Sequence, residues 1–170
     1  LDIMNDLANL LRTKEKGPGT KSLKEAIVLL GKVVRQKPMI SEYQINYGNV
    51  LRDNHQLEEA MSCYERVSDI DPNFTGALQN IGIVHYMDKN YELAKEYANK
   101  VLRLNPKHAG SFNILAQISV AENQLDEGIE YWERASELDP DNAVIFCNMG
   151  RALMRRRRDE EALEALQKSM

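Results

Sequence analysis

The sequence predicts an all-α chain of antiparallel helical hairpins stacked one on the next, and three observations carry that prediction. Prolines stand at Pro38, Pro72, Pro106 and Pro140, each 34 residues after the last. Small residues keep the same period at Gly48, Gly82, Ala116 and Gly150. A second small series runs through Ala26, Ala60, Ala94, Gly128 and Ala162. A period of this length marks an array of two-helix units, each unable to bury its apolar face alone, so that neighbours must stack.

The elements follow in order. Residues 1–40 form a degenerate first unit with a capping role. There Ile3, Leu7, Leu10 and Leu11 suggest a helix placed several residues early, and Lys16-Gly17-Pro18-Gly19-Thr20 breaks the pattern. A second helix then runs from Ser22 to Gln36, with Ala26, Leu30 and Val33 in register. Three full units, 41–74, 75–108 and 109–142, each hold a helix A and a helix B. The last unit, 143–170, stops inside a B helix, and the native chain is expected to continue past Met170. Gly48, Gly82 and Gly150 fall inside A helices, where Gly costs about 1 kcal/mol relative to Ala, a cost that makes sense if helix B approaches closely. Asp71-Pro72, Asn105-Pro106 and Asp139-Pro140 end the B helices, because the residue before a proline is pushed out of helical geometry. Glu58-Glu59, Asp126-Glu127 and Asp159-Glu160-Glu161 start them, complementing the positive helix N-terminus.

The order within a unit resembles the tetratricopeptide repeat. Residues 41–74 read Gln44, Tyr47-Gly48, Leu51, Ala60, Tyr64 and Pro72. The later units repeat this as Leu78, Ile81-Gly82, Ala94 and Pro106, as Phe112, Leu115-Ala116, Trp132 and Pro140, and as Phe146, Met149-Gly150 and Ala162. The resemblance covers nearly the whole chain and implies a right-handed superhelical solenoid. The family usually places Gly at the turn between helices A and B, where a left-handed backbone is needed; here that place holds His55, Lys89, Asn123 and Arg157. Gly128, four residues before Trp132, is expected to make room for the indole ring.

The resemblance further implies that the A helices line an inner surface that binds a partner. The residues so placed in 41–74 are Ile45, Asn46, Asn49, Arg52 and Asp53, and in 75–108 they are Gln79, Asn80, Ile83, Tyr86 and Met87. In 109–142 they are Asn113, Ile114, Gln117, Val120 and Ala121, followed in the last unit by Cys147, Asn148, Arg151, Met154 and Arg155. Asn46, Asn80 and Asn148 occupy one position in three units, with Ile114 interrupting the row and Asn113 beside it. This is similar to the asparagine ladder of superhelical members, whose amides grip an extended peptide backbone through one donor and one acceptor each. Ile83, Tyr86, Met87, Ile114, Val120 and Ala121 form an apolar strip suited to a helix or extended segment. The cations of the family's carboxylate clamp for chaperone tails are absent from these positions. Arg155-Arg156-Arg157-Arg158 is a basic run that ends helix A, where cations suit the negative terminus, and it also offers a docking patch for an acidic partner.

Charge and composition narrow the function. Residues 1–40 carry +4, residues 41–142 carry −10 and residues 143–170 carry +2, and the acidic middle is the wrong sign for phosphate binding. Cys63 and Cys147 make no CxxC pair, and His55, His85 and His108 have no helical metal-ligand spacing, so no metal or cofactor is expected. Gly31-Lys32 lacks the rest of a phosphate loop, and no GxSxG occurs. No segment has the apolar length of a membrane span. The expectation is a non-enzymatic, cytoplasmic adaptor or scaffold that binds a protein or peptide partner. The alternatives are a self-assembling homo-oligomeric scaffold, favoured by the opposite charge of ends and middle, and the recognition arm of a larger enzyme such as a glycosyltransferase.

Overall fold

A computed structural model of the chain describes residues 1–14 and 17–169. Lys16, which opens the expected helix break, and Met170 lie outside the described residues. Among those residues, the chain forms α1 (Asp2–Lys14), α2 (Lys21–Gln36), α3 (Ser41–Asp53), α4 (Leu57–Ile70) and α5 (Thr75–Met87). These are followed by α6 (Tyr91–Leu104), α7 (Ala109–Ala121), α8 (Leu125–Leu138), α9 (Ala143–Arg155) and α10 (Asp159–Lys168). Two compact units divide them, Leu1–Val84 and His85–Met170.

The helix ends have local causes. The B helices α2, α4, α6 and α8 each stop two residues before a proline, and the residue between leaves helical geometry, as at Asp71 (φ −137°, ψ 98°) and Asn105 (φ −138°, ψ 93°). The A-to-B turns adopt a left-handed residue four times, at His55 (φ 61°), Lys89 (φ 61°), Asn123 (φ 66°) and Arg157 (φ 58°). Each is the hinge of a Schellman motif. In the first, the His55 N–H donates to Arg52 O at 2.9 Å and the Gln56 N–H donates to Leu51 O at 2.9 Å. Carbonyls that the helix end would leave unpaired are satisfied in this way.

In the first unit α2 packs against α1 and α3, and α3 also meets α4. Ala8, Leu23, Ala26, Leu30 and Val50 form one buried cluster there. Each large aliphatic side chain so buried is worth about 1.5–3 kcal/mol. In the second unit α8 packs between α7 and α9, and α10 closes on α9. Ile129, Trp132, Phe146, Met149 and Leu153 fill that core.

The close approach of helix B expected at the mid-helix glycines is present at Gly48 and Gly150. A Cβ built on Gly48 would stand 2.5 Å from Tyr64 Cε1, and one on Gly150 would stand 2.8 Å from Leu166 Cγ. Gly128 departs from expectation. Its Cβ would meet Val120 Cγ2 at 2.7 Å and the Ala116 carbonyl oxygen at 3.0 Å, with no Trp132 atom among the nearest. Glycine is needed there because α8 crosses the α7 backbone closely, and not to admit the indole.

The first helix also departs from expectation in phase. It buries Asn5 and Ala8, while Ile3 (82% exposed), Leu7 (46%) and Leu10 (67%) face outward. Three of the four apolar residues that signalled the helix therefore lie on the face it does not bury, and only Leu11 packs against the buried cluster.

Candidate functional site

The A helices present two kinds of surface, one in each unit. In the first unit the polar residues bond to one another. Asn46 Nδ2 donates to Asn5 Oδ1 at 2.9 Å, joining α3 to α1. Asn5 is 3% exposed, and its own amide donates to Glu42 Oε1 at 3.4 Å. Arg12 Nη1 meets Asp53 Oδ2 at 3.2 Å, Arg52 pairs with the same carboxylate, and Arg52 Nη1 also donates to Asn80 Oδ1 at 2.8 Å. Tyr64 OH donates to Asn49 Oδ1 at 2.9 Å. Burial holds the Tyr64 phenol far above its ordinary range, so it stays a donor. The expected row of equivalent amides is thus not a row of free rungs. Asn46 and Asn80 each commit one amide atom to a side chain of another helix, the first by its nitrogen and the second by its oxygen.

In the second unit the A-helix side chains open onto a cavity of about 340 Å³. Tyr86 lies at the end of α5, Gln117 and Val120 on α7, and Trp132 on α8. Asn148, Arg151, Ala152 and Arg155 come from successive turns of α9. The Trp132 Nε1–H donates to Asn113 Oδ1 at 2.8 Å, which fixes the indole and leaves that oxygen occupied. Tyr86 rests beside Tyr91 with ring centroids 5.9 Å apart, and burial raises its pKa. Gln117 and Asn148 are half-buried and have no side-chain hydrogen bond among the described residues. Arg151 and Arg155 are exposed, and no carboxylate lines the cavity.

The four-arginine run splits in the same way. Arg156 forks onto the Asp126 carboxylate, its Nε at 2.7 Å from Oδ1. Arg158 forks onto Glu161 at 2.7 Å and 2.6 Å and reaches Glu133 at 3.9 Å. Arg157 is the exposed left-handed turn residue. Of the expected docking patch, two members are neutralised within the second unit and Arg155 belongs to the cavity instead. The residues of the expected apolar strip differ in exposure. Ile114 is 4% exposed and part of the interior, Ile83, Tyr86, Met87 and Val120 are half-buried, and Ala121 is exposed. Gln79 is half-buried on α5.

Trp132 is the residue that sequence reasoning missed, because a B-helix aromatic reads as packing; its edge reaches the cavity although only 3% of it is exposed. The thiol of Cys63 is pushed up to about 11 by burial, which keeps it protonated and unreactive near neutral pH. His85 stacks on Tyr97 with ring centroids 5.6 Å apart. Among the described residues no three His, Cys, Asp or Glu side chains gather as a metal-ligand set, and no helix is long and apolar enough to cross a membrane.

Hairpins of this geometry, four of them closed by the same turn, define a helical-repeat protein. Residues 53–135 match the family model for the anaphase-promoting complex, cyclosome, subunit 3, and residues 114–169 match a tetratricopeptide-repeat model. The chain belongs to the tetratricopeptide-repeat family. It is similar to anaphase-promoting complex subunit 3 of Schizosaccharomyces pombe, 26% identical over 106 residues, covering 62% of this chain and 16% of that protein. It is also similar to the photosystem I assembly protein Ycf3 of Rippkaea orientalis, 32% identical over 112 residues, covering 56% of this chain and 65% of that protein. The structure of TTC0263, a thermophilic tetratricopeptide-repeat protein of Thermus thermophilus, superposes with a TM-score of 0.84. At 16% identity, over 99% of this chain and 89% of that one, the likeness establishes the fold alone.

Proposed function

We propose that the chain is a protein-binding module without a catalytic group of its own, and that it holds a peptide segment of a partner in the cavity of the second unit. The observation that carries this reading is the pair of unengaged amides, Gln117 and Asn148, on the walls of one cavity of about 340 Å³. An amide offers a donor and an acceptor together, which is what a passing main chain requires. Tyr86, Val120 and Trp132 give the same cavity apolar walls, the mixed lining typical of a binding pocket. That similar chains occur within a cyclosome subunit and an assembly protein fits a scaffold role.

Panning a random-peptide library against the chain tests the reading. Bound peptides should be lost from the double variant Gln117→Ala/Asn148→Ala while its circular dichroism is unchanged. Enrichment that persists in that variant would place binding elsewhere and defeat the proposal.

A second reading, self-association, is favoured by the outward apolar residues Ile3, Leu7 and Leu10 of α1. Sedimentation velocity across a concentration series should then show a larger particle that Ile3→Ser/Leu10→Ser dissolves. A single monomer boundary throughout removes this reading.

A further inference from the structure

The charge of the cavity points to the class of peptide it takes. Arg151 and Arg155 stand four residues apart on α9, one helical turn, so both guanidinium stems rise on one face. Both reach the same cavity, both are exposed, and neither has an ion pair among the described residues. Their neighbours differ: Arg156 and Arg158 are each forked onto a carboxylate. Arg155 lies in the last turn of its helix, where a cation suits the carbonyl end of the dipole. Arg151 is a full turn earlier and lacks that explanation. In a chain whose formal net charge is −4, two unpaired cations in one recess form a local field of the opposite sign.

We propose that this cavity selects an acidic peptide segment that carries an aromatic side chain beside its carboxylate, an inference that rests on the peptide-binding reading above. The guanidiniums would fork onto one or two side-chain carboxylates, the strongest polar contact available to them. The aromatic ring would lie against Val120 and the edges of Tyr86 and Trp132. A cavity of about 340 Å³ accommodates one or two side chains of a peptide. A nucleic acid would require a longer row of cations than the two present here.

Trp132 is the single tryptophan of the chain and borders the cavity, so its own fluorescence reports occupancy without a label. The probe is the acetylated, amidated hexapeptide Glu-Phe-Asp-Glu-Phe-Asp, titrated into the full chain alongside two matched peptides. One control replaces Glu and Asp by Gln and Asn, and the other replaces Phe by Ala. The acidic aromatic peptide should perturb Trp132 and bind at least tenfold more tightly than either control. Arg151→Gln and Arg155→Gln should each weaken it about tenfold, since each removes a charge-assisted contact to the peptide carboxylate. Arg157→Gly, which removes the same charge outside the cavity, should leave binding unchanged. Equal affinity for the Gln/Asn peptide, an equal loss in Arg157→Gly, or no binding of the acidic peptide would each overturn the inference. If the library still yields neutral peptides lost in Gln117→Ala/Asn148→Ala, the charge selectivity fails while the peptide-binding reading stands. If the library yields none, that reading fails as well.

Discussion

The ring of Tyr64 occupies the space that a side chain on Gly48 would need: a Cβ there would stand 2.5 Å from Cε1 and 2.9 Å from Cζ. The ring cannot swing away freely, because its hydroxyl donates to Asn49 Oδ1 at 2.9 Å and the residue is fully buried. Gly48→Ala therefore sets two effects against each other. Helix propensity favours Ala by about 1 kcal/mol, whereas overpacking a filled interior costs about 1–3 kcal/mol. Overpacking should win, lowering stability by about 1–2 kcal/mol in urea unfolding. Adding Tyr64→Ala should erase the sign of that change, because Gly48→Ala would then fill space instead of contesting it. A stabilised Gly48→Ala single variant would show that the approach is looser than the geometry indicates.

Three of the four left-handed turn residues make a graded series. Lys89 and Arg157 carry a Cβ that crowds the following carbonyl at positive φ, while Asn123 tolerates the conformation through its short polar side chain. Lys89→Gly and Arg157→Gly should each raise stability by about 0.5–1 kcal/mol, and Asn123→Gly by less. Denaturant midpoints at constant slope measure this directly. Equal effects at all three positions would mean that unfolded-state entropy, and not turn strain, dominates.

These turns were legible in the sequence because they recur with the repeat. Periodicity locates a residue within a unit, and Pro72, Pro106 and Pro140 mark the helix ends for the same reason. It is silent about pairs that break the period. Asn46 finds Asn5 on a first helix that stands out of register, so nothing in the spacing of Asn46, Asn80 and Asn148 showed that the first was engaged. Arg52 reaches Asn80 from the preceding A helix, a match of side-chain lengths that no repeat pattern encodes. The period of α1 was readable but its phase was not, because the buried stripe is made of Asn5 and Ala8, small and polar against α3. The fate of the arginine run depended on acids elsewhere: Asp126 lies 30 residues before Arg156, in the preceding repeat, while Glu161 lies one turn ahead of Arg158.

His108 caps α7 with a ring nitrogen. The Ser111 N–H donates to Nδ1 at 3.1 Å, an acceptance only the neutral ring can provide. Burial holds the His108 pKa below its ordinary value of 6.5, so the unfolded chain takes up a proton more readily than the folded one. The stability this group contributes is complete above the unfolded pKa and is lost as pH falls through the folded value. Thermal melts between pH 7.5 and pH 5, a span chosen on either side of a histidine's ordinary value of about 6.5, should show this loss. His108→Asn keeps a capping acceptor that does not titrate and should flatten the dependence over that range. An unchanged slope in His108→Asn would assign the pH response to other groups.

Asn46 and Asn148 share a repeat position yet should fail differently. Asn46→Ala removes the donor to Asn5 Oδ1, leaving a polar atom of a residue 3% exposed without that partner, which costs about 1–3 kcal/mol. The variant should melt earlier and bind library-selected peptides as the parent chain does. Asn148→Ala breaks no side-chain hydrogen bond among the described residues, so it should melt with the parent chain and lose peptide affinity. Isothermal titration beside calorimetric melts separates the two outcomes. If both substitutions weaken binding equally and neither shifts the melt, Asn46 and Asn148 serve binding alike, and the contact between α1 and α3 carries no weight in folding.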